Sequence, residues 1–445
     1  MKKKRAHWAR ALPMVTVSLV VLGVAYPTIK FLLSSSIITK RGKNSSLLTK
    51  DKVAEVLGNS ASFYHFPNDL ELVIGGKDKV HGRVRYSFDT KLQKDMEGLF
   101  EQYTPDYGAF VALDAKTGRV LSMVSYSRSK KIQENLALRA SFPSASVFKV
   151  VTAAAAIEEH NISKDTVIPV NGRYHTLYRR QILKSDITRW TKFMTLKEAF
   201  ARSVNTVFGR IGAYTVGSQG LRTYAGRFGF NRRIAADLPI QEGKAWIPED
   251  LWGLAESASG FTRDNTMSPL QGALIAASVA NDGVMMEPFV VESISQTDNS
   301  VLYTAEPKVA SVTMDPATAV EIRALMKETV LHGTSRGSFK GFFKSGFAMI
   351  DVGGKTGSLT GFDPRGKYDW FVGYADAGSR QIAIAALTIH EKQWRVKSSY
   401  LARRAIESYF SYFKDPLHHG KTVANHDVEI CACAHLSASD CGCSD

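Results

Sequence analysis

A chain of 445 residues with 44% hydrophobic and 22% charged residues is long enough for two or three domains with sizeable cores, and its composition excludes an intrinsically disordered protein. Its net charge of +15 and pI near 9.5 suit an anionic partner such as lipid head groups, an acidic wall polymer or nucleic acid. Nucleic acid is set aside, because the chain has no RNP-like motif, no zinc-finger spacing and no basic helix with interleaved aromatics.

In chain order, Lys2, Lys3, Lys4, Arg5 and Arg10 precede an uncharged run from Ala11 to Ile29, and the apolar stretch continues to Leu33. That length spans a bilayer as a helix, and cations before it place the N-terminus inside and the bulk outside. The expectation is a short cytoplasmic segment (1–10) and an uncleaved anchor (11–33). A cleavable signal peptide at Gly23-Val24-Ala25 is the alternative. Residues 34–84 are polar and weakly periodic, as in a stalk or small pre-domain. Residues 83–88 alternate as a strand, and 90–103 read as a helix. A hairpin follows, its strands 108–113 and 119–125 joined by the turn-forming residues 114–118.

Phe142-Pro143-Ser144-Ala145-Ser146-Val147-Phe148-Lys149 then leads into an alanine-rich helix that is apolar all round and therefore predicted to be buried. Ser144 is the expected N-cap, with Pro143 at the first turn. Ser146 and Lys149, three apart, share a face, so the amine can reach the hydroxyl. A serine needs such a base, and burial or a neighbouring cation lowers a lysine's pKa enough to make it one.

Further helices are predicted at 195–202, from 206, at 220–228, 267–281 and 316–331, with strands at 289–291, 348–360, 369–375 and 381–389 and a closing helix at 397–413. Strands at both ends with helices between imply an α+β fold: one antiparallel sheet assembled from the two ends of the domain, with an all-helical insert. Ser203-Val204-Asn205 falls where one helix ends and the next begins, so a hydroxyl and an amide can share a cleft. Gly353-Gly354-Lys355-Thr356-Gly357-Ser358 lies within an apolar strand, where glycines mark close backbone approach and Lys355, Thr356 and Ser358 suit a carboxylate. A phosphate-loop reading of Lys355-Thr356 fails, since Met349 stands where that loop needs glycine and a strand follows. Gly333-Thr334-Ser335-Arg336-Gly337 matches the nucleophile-elbow pattern but lacks the strand-to-helix context and reads as a turn.

In the order Ser-x-x-Lys, Ser-x-Asn, Lys-Thr-Gly, on a helix, an interhelical loop and a strand, these motifs resemble the penicillin-binding protein transpeptidases, relatives of the serine β-lactamases. The resemblance extends to Phe88-Asp89 through Gln93, Val111 to Asp114 with Gly118 to Leu121, Met267 to Gln271 with Ala280 to Gly283, and Trp370 to Tyr374. It implies a β-lactamase/D,D-peptidase-like domain at residues 85–414. It also implies Ser146 as acylated nucleophile, Lys149 as its base kept neutral partly by Lys355, and Ser203 as proton relay. Asn205 would hold a substrate amide and position Lys149. The backbone N–H groups of Ser146 and Ser358 would form the oxyanion hole, and Lys355, Thr356, Gly357 and Ser358 would bind the terminal carboxylate.

The implied substrates are peptidoglycan stem peptides ending in D-Ala-D-Ala, with β-lactams as inhibitors and no cofactor or metal. A D,D-carboxypeptidase, a β-lactam sensor, a β-lactamase and a non-catalytic scaffold are the rivals; a β-lactamase needs a placed deacylating base, and Glu242 lies in a segment (238–243) that resembles a structural part of the transpeptidases. Too few residues separate the anchor from the catalytic part for a glycosyltransferase or a large accessory domain, which leaves a polymerase partner open. The tail (415–445) holds all four cysteines, Cys431, Cys433, Cys441 and Cys443. Disulfides, a metal site and a disordered thiol tail remain open for it.

Overall fold

The computed structural model describes residues 48–60, 66–74, 78–129, 134–184 and 186–414. The expected anchor and the cysteine tail lie outside them. No helix among the described residues is long and apolar enough to cross a membrane.

The chain opens with helix α1 (Lys50–Ser60) and strands β1 (Asp69–Ile74) and β2 (Asp78–Tyr86), then α2 (Thr90–Tyr103) and the hairpin β3 (Tyr107–Leu113) and β4 (Val120–Ser127). The helical insert begins with α3 (Lys149–His160). It continues through the small hairpin β5 (Val167–Val170) and β6 (Lys192–Thr195), whose connection carries α4 (Arg179–Leu183). Then come α5 (Leu196–Ala201), α6 (Asn205–Ile211), α7 (Gly217–Arg227), α8 (Leu251–Ser259) and α9 (Pro269–Ala280). After β7 (Val291–Ser295), β8 (Val301–Thr304) and α10 (Pro316–Leu331), the chain returns to the sheet with β9 (Asp351–Phe362), β10 (Arg365–Asp376) and β11 (Gln381–His390), and closes with α11 (Ser398–Tyr409).

The central sheet is antiparallel, in the order β9-β10-β11-β3-β4, so the two ends of the domain meet at β11 and β3 as the sequence implies. Alternation explains why β11 reads as one unbroken apolar run. Ala383, Ala385 and Leu387 face a core shared with α3 and α9, while Ile382, Ile384 and Ala386 face a second core shared with α2 and α11. A strand covered on both faces has no polar side to show. The α9 helix is buried at all twelve positions, starting from Ser268, whose side chain caps Gln271 N, and Pro269 at N1. The closing helix packs the expected stripe of Leu401, Ala405, Ile406, Tyr409 and Phe410.

Within the stretch read as a stalk or small pre-domain, residues 50–84 carry regular structure. They form a helix and two strands, and β2 runs through residue 84 into a second antiparallel sheet, β1-β2-β7-β8. Gly82, which interrupts the pattern, sits where a Cβ would be 2.5 Å from Ile294 and 2.8 Å from Leu72. The predicted strand 289–291 begins only at Val291; Phe289 makes an isolated bridge with Arg119.

Candidate active site

The turn before α3 is not the capped helix start expected from sequence. Pro143 belongs to a two-residue strand paired with Thr266, and Trp370 Nε1 donates to its carbonyl at 2.9 Å. Ala145–Phe148 form a 3-10 turn, and Ser144 caps nothing: its buried Oγ has no partner. The cause is crowding around Ala145, which adopts φ 48°, a conformation costly for any residue with a Cβ. Gly260 (φ 67°) comes so close that a Cβ there would lie 1.8 Å from the Ala145 carbonyl oxygen. From the other side β9 presses in at Gly357, where a Cβ would stand 3.3 Å from those of Ala145 and Trp370.

This turn leaves Ser146 half-exposed on the cleft wall and puts Lys149, fully buried, at the first position of α3. Lys149 Nζ lies 2.8 Å from Ser146 Oγ and 2.8 Å from Asn205 Oδ1, and it also donates to the carbonyl of Ser259 at the end of α8. Burial first, and the neighbouring Lys355 second, hold its pKa well below the usual lysine value. A neutral amine has two N–H bonds and one lone pair. Two carbonyl-type oxygens, Asn205 Oδ1 and Ser259 O, can only accept, so they take both hydrogens and leave the lone pair for the Ser146 hydroxyl.

Ser203 and Asn205 occupy the joint between α5 and α6. Thr195 starts α5 with a capping box completed by Glu198. The helix ends in a Schellman arrangement, Ser203 N donating to Phe200 O at 3.0 Å and Val204 N to Ala199 O at 2.9 Å. The left-handed residue of that motif is usually glycine; here it is Ser203, at φ 55°. A hydroxyl kept at a strained position points to a function for it. Its Oγ accepts from Lys355 Nζ at 2.9 Å, and Lys355 also donates to Thr356 O. Lys355, expected from sequence to suit a carboxylate, is wholly buried near the Phe200 ring, and burial pushes its pKa down to about 7. The site thus brings together Ser146, Lys149, Ser203, Asn205, Lys355, Thr356, Gly357 and Ser358.

These groups open into a cleft of about 630 Å³. The glycines before Lys355 serve the sheet rather than a ligand: Cβ atoms at Gly353 and Gly354 would meet the Tyr374 and Phe371 rings at 2.6 and 2.3 Å. Several lining residues carry no sequence signal. Thr334, in the turn that mimics a nucleophile elbow, sits with its Oγ1 2.5 Å from Thr356 Oγ1. His175 lines the opposite wall, fixed there because its neighbour Tyr174 accepts Asn205 N at 2.7 Å; burial and the two lysines depress its pKa. Beyond β9 the cleft runs past Asp369 to Trp394 and Lys397. Asp369 is the one carboxylate on the cleft wall among the described residues, and its Oδ2 accepts from Ser398 N at 2.8 Å. Glu242 is exposed and does not line the cleft. No cluster of three metal-ligating side chains occurs among the described residues, and the four cysteines fall outside them.

Comparison with known proteins agrees with this geometry. The chain is 28% identical over 352 residues to the peptidoglycan D,D-transpeptidase PbpA of Mycolicibacterium smegmatis, covering 70% of this chain and 68% of that one. It is 23% identical over 370 residues to the stage V sporulation protein D of Bacillus subtilis, 78% of this chain and 54% of the relative. The crystal structure of PBPA from Mycobacterium tuberculosis superposes with a TM-score of 0.60 at 23% identity, covering 75% of this chain and 82% of that one. Residues 108–407 match the penicillin binding protein transpeptidase domain, and the chain therefore belongs to that family of serine-type D-Ala-D-Ala transpeptidases.

Proposed function

We propose that the protein is a membrane-anchored peptidoglycan cross-linking enzyme working through an acyl-enzyme on Ser146. The carrying observation is the contact set of the buried Lys149 Nζ, two carbonyl-type oxygens that can only accept and the Ser146 Oγ at 2.8 Å, which in the neutral amine leaves the lone pair for Ser146.

In this reading Ser146 Oγ attacks the carbonyl of the penultimate D-Ala while its proton passes to Lys149 Nζ. The oxyanion is met by the backbone N–H groups of Ser146 and Ser358, each such donor being worth about 10²–10³ in rate. The C–N bond breaks as a proton moves through the Ser203 hydroxyl to the leaving D-Ala nitrogen. The ester is then attacked by the amine of a second stem peptide. A new amide forms, the C–O bond to Ser146 breaks, and the surplus proton of the amine returns by way of Lys149 to the serine oxygen. Lys355, Thr356 and Ser358 hold the substrate carboxylate, whose charge restores the ammonium of Lys355 that burial disfavours. Asn205, its Oδ1 committed to Lys149, turns Nδ2 to a substrate amide. The anchor at 11–33, the pre-domain at 34–84, the catalytic domain at 85–414 and the tail at 415–445 complete the organisation, with the catalytic domain outside the cytoplasmic membrane.

The protein named in a crystal structure as penicillin-binding protein A of M. tuberculosis forms an acyl-enzyme with ceftriaxone, and this supports β-lactam acylation here. The β-lactamase reading loses ground because Asp369 is tied to Ser398 N and Glu242 stands away from the cleft. The test is labelling with a fluorescent penicillin, then incubation with a D-Ala-D-Ala stem peptide and an amine acceptor. Stable label on wild type, none on Ser146→Ala or Lys149→Ala, and cross-linked product are expected. Folded wild type that takes no label overturns the proposal. Fast β-lactam turnover makes the protein a lactamase, and label without any peptide turnover makes it a sensor.

A further inference from the structure

Away from the chemistry, the hairpin β5–β6 and its connection carry an exposed face that the transpeptidase reaction does not use. Its inward side is ordinary core, with Val170, Met194 and Ile182 buried. Its outward side is apolar too: Val167 is 60% exposed, Ile187 68%, Trp190 75% and Phe193 59%. Val167 and Phe193 lie on one face of the hairpin by register, since Val167 pairs with Thr195 and Pro169 with Phe193. Isolated apolar residues on a surface need no explanation, but four so exposed within 27 residues do.

The loop bearing Ile187 and Trp190 is built. Asn171 Nδ2 donates to the Asp186 carbonyl at 3.1 Å, and Thr191 Oγ1 donates to Asn171 Oδ1 at 2.8 Å. Thr188 N donates to Thr191 Oγ1 at 2.9 Å, and Trp190 N to Thr188 Oγ1 at 3.2 Å. These bonds hold the two apolar tips outward. Around them residues 173–193 hold six arginines and lysines against one acid, Asp186. Arg179, Arg180, Lys184, Arg189 and Lys192 are all exposed, and among the described residues none of the five makes an ion pair.

We propose that this face docks onto an anionic phospholipid surface, with Trp190, Ile187 and Phe193 entering the head-group boundary and the surrounding cations neutralising lipid charge. Aromatic and aliphatic tips ringed by Lys and Arg are the composition that partitions to such an interface. The proposal rests on the anchor reading above. Fourteen residues (34–47) separate that apolar run from Leu48, a tether of at most about 50 Å at 3.3–3.6 Å per residue. A lipid-facing insert would then orient the adjoining cleft wall at His175 relative to the membrane.

The test uses the full chain in vesicles of brominated lipid, either with about a third anionic lipid or wholly neutral, comparing wild type with Trp190→Ser and with Arg189→Glu/Lys192→Glu. Fluorescence quenching attributable to Trp190 is expected in anionic vesicles, and it should fall several-fold in neutral ones and in the charge-reversed variant. Trp8, next to the apolar run, reports the anchor separately, because its quenching survives Trp190→Ser. Vesicle flotation with Trp8 quenched but Trp190 unquenched overturns the docking face and points to a protein or wall-polymer partner instead. Loss of flotation and of Trp8 quenching refutes the anchor on which the proposal stands. Retained penicillin labelling shows that each variant is folded.

Discussion

The base assignment is most sharply tested by Asn205→Asp. The substitution keeps an acceptor oxygen beside Lys149 but gives it a charge. At the observed 2.8 Å separation and an effective dielectric constant near 20, the attraction to an ammonium is about 6 kcal/mol. Asn205 is 6% exposed, so desolvating the new carboxylate consumes several kcal/mol of this. A net preference for the lysine ammonium of about 3 kcal/mol raises the Lys149 pKa by roughly two units and so cuts the free amine by at most about 10²-fold. Stopped-flow acylation by a fluorescent penicillin, measured against wild type at each pH, should show a deficit that is largest, up to about 10²-fold, at low pH and vanishes as pH rises. A deficit that stays constant with pH would trace to the lost Nδ2 donor instead. No deficit at all would remove Lys149 as the base.

Three further outcomes follow from the same geometry. Burial depresses Lys355 to about 7 in the empty cleft, so its charge is lost as pH rises through that value; kcat/KM for a D-Ala-D-Ala peptide should fall above pH 7, while the alkaline limb of kcat moves upward because the bound carboxylate restores the ammonium. Limbs at the same pH in both profiles would show that the carboxylate does not sit on Lys355. Gly260→Ala places a methyl against the Ala145 carbonyl at φ 67°, so it should slow acylation at least tenfold and lower the melting temperature; an unchanged acylation rate would mean that the Ser146 turn tolerates displacement. Asp237, fully buried, accepts from Val290 N and Val291 N, yet burial outweighs them and raises its pKa to about 6. A carboxyl raised in the folded state contributes stability that is present below about pH 4 and lost through pH 6, on the order of 3 kcal/mol here. Denaturant unfolding of Asp237→Asn should therefore lose less stability than wild type between pH 4 and 7, and parallel curves would refute the assignment.

The sequence exposed what depends on local spacing. Ser146 and Lys149 three apart, the break between two helices at Ser203 and the doubly buried run of β11 each carry their own periodicity. The N-cap at Ser144 was misleading because the turn is set by distant groups, Gly260 and Gly357, which local propensity cannot contain. The same limit hid β1 and the first half of β2: β2 pairs with β7, about two hundred residues downstream, and Gly82 makes room for Ile294 at the expense of the strand pattern. The far wall of the cleft was equally silent. His175, Thr334, Asp369 and Trp394 converge from four separate segments; only Thr334 sits in a recognisable pattern, and that pattern points to a different chemistry.

The position of β11 bears on how the protein is made. This strand lies between β10 and β3, yet 268 residues separate Leu113 at the end of β3 from Gln381 at its start (381 − 113). At about 5–20 residues per second, the β3–β4 hairpin waits between about 13 and 54 s for the neighbour that closes its inner edge. Lys355 is added only near the end of that interval. A stalled or truncated product ending before His390 therefore carries Ser146 and Lys149 at the start of a helix with no completed sheet to bury it, and an open strand edge that invites aggregation. Nascent chains of this protein should depend on holding factors until synthesis has passed β11.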